Sequence, residues 1–503
     1  MSLRRPLFPM LALVLAAFLC PSCAETGEDA WQPPRIVRID GAEIAHSFSP
    51  MYGTIFGKAV VKDGPGESPL KPLETTTYAL TRPGDLLAVN EGPPFPFAAG
   101  DGASLSVTFE EDRVVLEGDV VAIKPAGSES QTWLMKAPEV ELAALRLIDL
   151  AGPGWDGEAD DADAAIEDGR KVLARLAEVN PDVAVLVGGG KALALVLEMF
   201  DPGWLSVDGV VPDADLQDLL AAEPNLHMLV MKGQAENGLA FLSRLPHLQT
   251  LILSDWEAGG EDAPGQALPT MPALRTLLLL GPEIKDLGPI GTQPNLVELA
   301  VITGKDLEDV GRLAEMPGLR TLSLQGCEKA KDLEPLSALE HLRWLVLPPE
   351  TTQAQFAAVC KDHPDLEVLQ AVPCMNIKDL APLANLRRLR VLTLGETAAP
   401  LDPVAGLASL RLLGVDLKHP EPKEGEAAAG EGKAEEGDAE ETQARKARHQ
   451  AVVRIMDANP DLAVVQVSPL CLGSGWILLL VPAAAGAWWM ARRRRSGAAG
   501  DDG

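Results

Sequence analysis

The body of this chain is short of the residues and motifs that carry chemistry. None of its seven histidines sits in H-E-x-x-H, and neither G-x-S-x-G nor a phosphate-binding loop occurs. Gly188-Gly189-Gly190 begins a glycine fingerprint but does not complete G-x-G-x-x-G, so it reads as a tight turn. The six cysteines are scattered. Cys20 and Cys23 lie near the start, Cys327, Cys360 and Cys374 in the middle, and Cys471 near the end. That spread gives no disulfide framework. No metal or cofactor is expected, and no catalytic residue is indicated. Positive charge is scarce as well: 43 Lys and Arg stand against 73 Asp and Glu, for a formal net charge of −30. A surface of that sign excludes nucleic acid, and an anionic membrane surface, as partners of the main body.

What the chain has in excess is one phrase, L-x-x-L-x-L, written again and again from Leu226 to Leu417. It occurs as HLQTLIL (Leu248, Leu251, Leu253), ALRTLLL (Leu274, Leu277, Leu279), GLRTLSL (Leu319, Leu322, Leu324), HLRWLVL (Leu342, Leu345, Leu347) and RLRVLTL (Leu389, Leu392, Leu394). A proline often stands two residues ahead of the first leucine, as at Pro246, Pro272, Pro294, Pro317 and Pro364. The first leucines from Leu274 on recur every 22 to 24 residues (274, 296, 319, 342, 366, 389). A fixed period of this size marks a stack of identical supersecondary units. Side chains alternate along a strand, so the two leucines of L-x-L share a face. One short strand cannot bury them, but a stack of strands can.

The phrase and its period resemble the leucine-rich repeat family, over roughly residues 142–467. The intervening IKDLGPI (284–290), AKDLEPL (330–336) and IKDLAPL (377–383) resemble the short repeats of bacterial internalin-type proteins. The resemblance implies an α/β solenoid with a parallel sheet on its concave face and helices and turns on its convex face. It also implies an Asn or Cys eight residues after each first leucine. Here those places hold Cys327 and Cys374, but elsewhere Gln234, Trp256, Gly304 and Thr397, so the usual asparagine ladder is missing. Two copies, Gln353–His363 and Ala444–Asn459, have full helical periodicity between strands.

In L-x-x-L-x-L-x the residues between and beside the last two leucines face away from the core. Read copy by copy, they make a concave surface almost free of charge. Leu278, Leu280, Ile302, Trp344, Val346 and Val368 fall close together on it, with Gln325 beside them. An exposed apolar stripe of that size marks a partner site, and a tryptophan suits its centre. The expected ligand is a protein or peptide.

The remaining segments give the organisation. Residues 1–24, with Arg4, Arg5 and the apolar run Met10–Leu19, read as a secretory signal peptide cleaved after Ala24, in preference to lipidation at Cys23. Residues 25–140 do not repeat and read as a small β-rich domain. Strands are expected at 35–40, 55–61 and 104–110, the last in a hairpin with 114–123, and loops at 63–72 and 92–102. Its expected role is to cover the first open end of the solenoid. Residues 141–467 hold the solenoid, whose first copies carry helices at 164–179, 193–200 and 215–222 and strands at 142–150, 183–187 and 204–207. The acids Asp156 to Glu167 approach calcium-loop spacing, but Asp161 stands at the sixth place, where that loop needs glycine, so they read as a solvated loop. The acidic insert 420–443 reads as disordered. Residues 472–491 are apolar throughout, with Trp476, Trp488 and Trp489 at the two ends and Arg492 to Arg495 directly after, which reads as a transmembrane helix with a basic cytoplasmic tail at 492–503. With Cys471 ahead of it, this layout resembles the C-terminal sorting tails of some bacterial surface proteins. The functional expectation is a membrane-anchored, outward-facing binding scaffold in the cell envelope. The competing reading is an enzyme or sensor in the β-rich domain with the solenoid as targeting arm. His46, Asp101 and Glu110 are its isolated candidates.

Overall fold

The computed structural model describes the strands lying between residues 35 and 117 and, with short gaps, residues 134–467. The expected leader, the first part of the acidic insert (420–433), Cys374, Cys471, the apolar stretch 472–491 and the basic tail lie outside the described residues.

Nine short strands precede the solenoid: β1 (Arg35–Asp40), β2 (Ile44–Phe48), β3 (Gly57–Lys62), β4 (Leu70–Pro72), β5 (Thr76–Thr81), β6 (Leu86–Val89), β7 (Phe95–Pro96), β8 (Ser104–Phe109) and β9 (Val114–Glu117). They form a four-stranded sheet in the order β5-β1-β8-β9 and a three-stranded one in the order β2-β6-β7. The expected hairpin is present as β8 and β9, with Phe109 opposite Val114. The expected loop at 63–72 is shorter than its composition suggests, because its last three residues pair with β3 as β4.

The solenoid strands follow in chain order, each beside the one before. They are β10 (Leu147–Leu150), β11 (Ala184–Val187), β12 (Trp204–Val207), β13 (Met228–Lys232), β14 (Thr250–Ser254), β15 (Thr276–Leu280), β16 (Glu298–Ile302), β17 (Thr321–Ser323), β18 (Trp344–Leu347), β19 (Val368–Ala371), β20 (Val391–Leu394), β21 (Leu412–Val415) and β22 (Ala463–Val467). All pair in parallel, and the repeat phrase keeps one register throughout. Leu229, Leu251, Leu277, Leu299, Leu322, Leu345, Leu369, Leu392 and Leu413 form a single ladder. Every one of these leucines is fully buried in one continuous core. The chain is a leucine-rich repeat solenoid.

Helices and turns return the chain behind the sheet. The early copies use α1 (Glu139–Ala143), α2 (Ala162–Val179), α3 (Gly190–Met199) and α4 (Ala214–Ala222). The middle copies use 3-10 turns, and the D-L-x-P phrase explains why. Asp286 Oδ1 accepts from the Gly288 N–H at 2.6 Å, Asp332 from Glu334 at 3.0 Å and Asp379 from Ala381 at 2.8 Å. Each aspartate closes the entry turn, and a proline in the first turn has no N–H to leave unpaired. Two copies insert longer helices, α5 (Gln353–Asp362), started by a reciprocal Thr352–Gln355 capping box, and α6 (Ala434–Ala458). Helix α6 corrects one expectation. Residues 434–443 are helical rather than part of a disordered insert. Their AEEGDAEETQ is rich in strong helix formers, and Glu441 stands four residues before Arg445, the favourable order for such a pair.

The turn after each strand works without an asparagine ladder. The residue before the turn position takes a left-handed φ of 50 to 71° at Asp255, Gly281, Thr303, Gly326 and Glu396. This bends the chain inward and carries the next side chain toward the core. Trp256, Cys327 and Thr397 are all fully enclosed. Thr397 Oγ1 donates to the Ile377 carbonyl at 3.3 Å, and Cys327 Sγ lies 3.4 Å from the Val301 carbonyl, so different side chains do the same stapling. Next to Trp256, Gly233 leaves no room for a side chain: a Cβ there would lie 2.3 Å from the Trp256 Cβ.

The ends of the stack are closed differently from the expectation. At the first rung the cover is local. Leu134, Ala137 and Leu142 join the core, and the Arg175 guanidinium on α2 donates to the carbonyls of Leu134, Met135 and Ala137. Among the described residues, the β-rich segment meets the opposite end. Strand β3 pairs antiparallel with β22, the last rung, with Ala59 opposite Val465. The hairpin β3–β4 buries Val60 and Leu70 in the solenoid core, and Lys62 forms an ion pair with Asp457 at the end of α6.

Candidate functional site

The concave sheet face consists of three rows read across the rungs. The first runs Trp204, Met228, Thr250, Thr276, Glu298, Thr321, Trp344, Val368, Val391, Leu412. The second runs Ser206, Val230, Ile252, Leu278, Ala300, Ser323, Val346, Gln370, Thr393, Gly414. The third, shorter row is Lys232, Ser254, Leu280, Ile302. Six of the seven sequence-derived site residues fall on these rows, spread from β15 to β19; Gln325 lies just after β17. Leu278 and Val346 share one row three rungs apart, Trp344 and Val368 are neighbours in another, and Leu280 and Ile302 are neighbours in the third.

Their exposure differs from the expectation. Trp344 and Leu278 are 0% exposed, Val368 1%, Val346 3% and Ile302 8%. Of the seven expected site residues only Leu280 and Gln325 remain half-buried. The open apolar stripe centred on Trp344 is thus enclosed within this chain. Membership of a face follows from strand alternation, but exposure depends on what packs over the face, which alternation does not encode. Rungs about 4.8 Å apart also hold the side chains of one row in mutual contact.

This enclosed half contains polar atoms. Ser323 Oγ, Trp344 Nε1, Gln370 Nε2 and Thr393 Oγ1 are buried and have no hydrogen-bond partner among the described residues. Glu298 is 9% exposed and its carboxylate accepts from Thr276 Oγ1 at 2.9 Å.

The accessible part of the face lies toward the first rungs. Met228, Ile252, Leu278, Ala300 and Ile302 form a compact apolar cluster separate from the main core. Trp204, Val230 and Leu280 pack against it and are half-buried. Lys232, Thr250 and Ser254 border them, also half-buried. WLSV is legible in the sequence as a strand, but the expected face does not include Trp204. Its copy lacks the L-x-x-L-x-L phrase, so only the observed register with Met228 places it there.

Among the described residues, no group of three His, Cys, Asp or Glu is placed to hold a metal ion, and no helix is long and apolar enough to cross a membrane. His46 sits on β2 opposite Ala88, in the three-stranded sheet. Asp101 and Glu110 lie outside the described residues.

No protein-family model matches the chain, and no curated protein does. Among solved structures it is similar to internalin C2 of Listeria monocytogenes, at 20% identity over 40% of this chain and 76% of that one, with a TM-score of 0.25. A second internalin of the same organism aligns at 18% identity over 58% of this chain and 89% of the other, TM-score 0.32. A leucine-rich repeat protein of Leptospira interrogans aligns at 14% identity over 65% and 74%, TM-score 0.35. Likeness at this level reaches no further than the repeat fold, which the strand registers establish independently.

Proposed function

We propose that this chain is a non-catalytic scaffold that binds a protein or peptide on the first half of its concave face. The observation that supports the reading is the half-buried trio Trp204, Val230 and Leu280 packed against a buried apolar cluster on the same face. A large aromatic ring with apolar neighbours, on a rigid strand and next to polar edge residues, is the composition of a binding hot spot. The enclosed Trp344 region lies farther along the same face and is not the contact itself. Photo-crosslinking tests the assignment: a benzophenone amino acid placed at 204 in the full chain, expressed in its own cells, should yield a discrete adduct, while the same group at Ser243 on the convex side should not. Identical adduct patterns from both positions would refute it.

We further propose that the scaffold is secreted by its leader and held at the membrane by residues 472–491, with the solenoid outside. The support is the sequence: an apolar run of spanning length, flanked by tryptophans and closed by Arg492 to Arg495. Deleting 472–503 should move the protein from the membrane fraction into the medium or the soluble envelope fraction. Unchanged fractionation would sink the anchoring.

A further inference from the structure

The residue just before each strand's first concave position stands on the rim of the sheet. Backbone bonds hold these positions in one row. The N–H groups of Val297, Arg320, Arg343, Glu367, Arg390 and Arg411 donate in turn to the carbonyls of Arg275, Val297, Arg320, Arg343, Glu367 and Arg390, at 2.7 to 2.8 Å. One edge of a chain carrying a net charge of −30 thus holds Arg275, Arg320, Arg343, Arg390 and Arg411 on neighbouring or next-neighbouring rungs. Arg387 and Arg388 add to it beside the Arg390 rung.

Few carboxylates answer them. Asp365 serves both Arg343, at 3.4 Å, and Arg388, at 3.7 Å. Glu367 serves Arg390 at 3.9 Å. Arg275, Arg320 and Arg387 have no ion-pair partner among the described residues. The cations of the row are all arginine, while Lys285, Lys305, Lys329, Lys331 and Lys378 sit on the loops of the convex return. Arginine's planar fork matches a carboxylate in two parallel hydrogen bonds, which an ammonium cannot do.

We propose that this arginine row is a docking surface for an acidic polypeptide segment. Charge complementarity selects the occupant. The row's rungs are about 4.8 Å apart, so the Arg275–Arg320 and Arg343–Arg390 gaps of two rungs are about 10 Å, close to three residues of extended chain. A peptide with spaced carboxylates fits that rhythm and passes Glu367. A continuous polyanion meets Glu367 and the acidic flanks at every step. The surrounding negative charge does not forbid the encounter, because at about 0.15 M salt its field decays within about 8 Å while direct pairs persist. The surface is distinct from the Trp204 site, so neither stands or falls with the other.

The test uses the full chain and a fluorescein-labelled peptide with a glutamate at every third residue, in fluorescence anisotropy at about 0.15 M salt. A rim triple, Arg275→Gln with Arg320→Gln and Arg387→Gln, should weaken binding about tenfold. A convex triple of equal charge change, Lys285→Gln with Lys305→Gln and Lys331→Gln, should change it less than about twofold. Both triples should melt with the parent, since all six side chains are at least partly accessible. A rim variant that unfolds is replaced by the single Arg387→Gln, whose side chain is exposed, with a proportionate loss expected. Equal weakening by the two triples, no binding by the parent, or tighter binding of a single-stranded oligonucleotide than of the spaced-glutamate peptide would each overturn the proposal.

Discussion

Truncating Leu322 to alanine probes the physical basis of the fold. Leu322 is 0% exposed and stands in the ladder between Leu299 and Leu345. The change removes three carbons, worth about 0.8 kcal/mol each, or about 2.4 kcal/mol in lost burial. The rungs on either side are pinned by parallel backbone bonds and cannot close the gap. If about 50 Å³ of void remains, at about 24 cal/mol per Å³, a further 1 kcal/mol or so is lost. The expected destabilisation is therefore about 3.5 kcal/mol, a large part of the stability of an ordinary domain. Equilibrium urea unfolding followed by far-ultraviolet circular dichroism measures it, with Ser254→Ala as control. Ser254 is a half-buried concave residue whose replacement should cost no more than about 0.5 kcal/mol. A loss at Leu322 below about 1.5 kcal/mol, or one equal to the control, would mean that the ladder is not a closed core.

Two further outcomes concern titratable groups. Glu223, at the end of α4, has its pKa raised from 4.5 to about 8, first by burial and then by its hydrogen bond and charge interaction with Asp201. The folded state thus holds a proton that the unfolded state has released between those values, so this contribution to stability is complete below about 4.5 and is lost as pH rises toward 8. Glu223→Gln should flatten the fall in the urea midpoint between about pH 5 and pH 8, and an unchanged slope would discard the assignment. Burial pushes the thiols of Cys327 and Cys360 up to about 12, so both are protonated and enclosed. Iodoacetamide with peptide mass mapping should leave both unmodified in native protein and label both in urea, whereas native labelling at either site would contradict their burial.

The parts of this protein legible in its sequence are those with a local cause. L-x-L alternation predicts which leucines point inward, and the register from Leu229 to Leu413 obeys it rung by rung. The D-L-x-P phrase marks three of the convex turns because the aspartate and proline act within four residues. Three features have no local cause to read. Trp344 lies on the expected face, but strand alternation does not encode its 0% exposure. Trp204 joins that face in a copy without the phrase. The pairing of β3 with β22 links positions about 400 residues apart, and GKAVVK bears no mark of its partner. Residues 434–443 mislead for another reason: their composition lacks large apolar side chains, but good helix formers leading into α6 extend that helix without a core of their own.

The pairing of β3 with β22 sets an order on the birth of the molecule. Strand β3 leaves the ribosome early, and β22 emerges after about 400 residues, which at about 5–20 residues per second is a delay of roughly 20 to 80 seconds. Through that interval Val60 and Leu70 have no final home, and the growing coil ends on a raw edge that each new rung covers and recreates. Only when 463–467 emerges does the earliest hairpin find the latest strand. A nascent chain stopped short of that point keeps two sticky surfaces at once, so premature termination near the tail should be costlier to the cell than the few missing residues suggest.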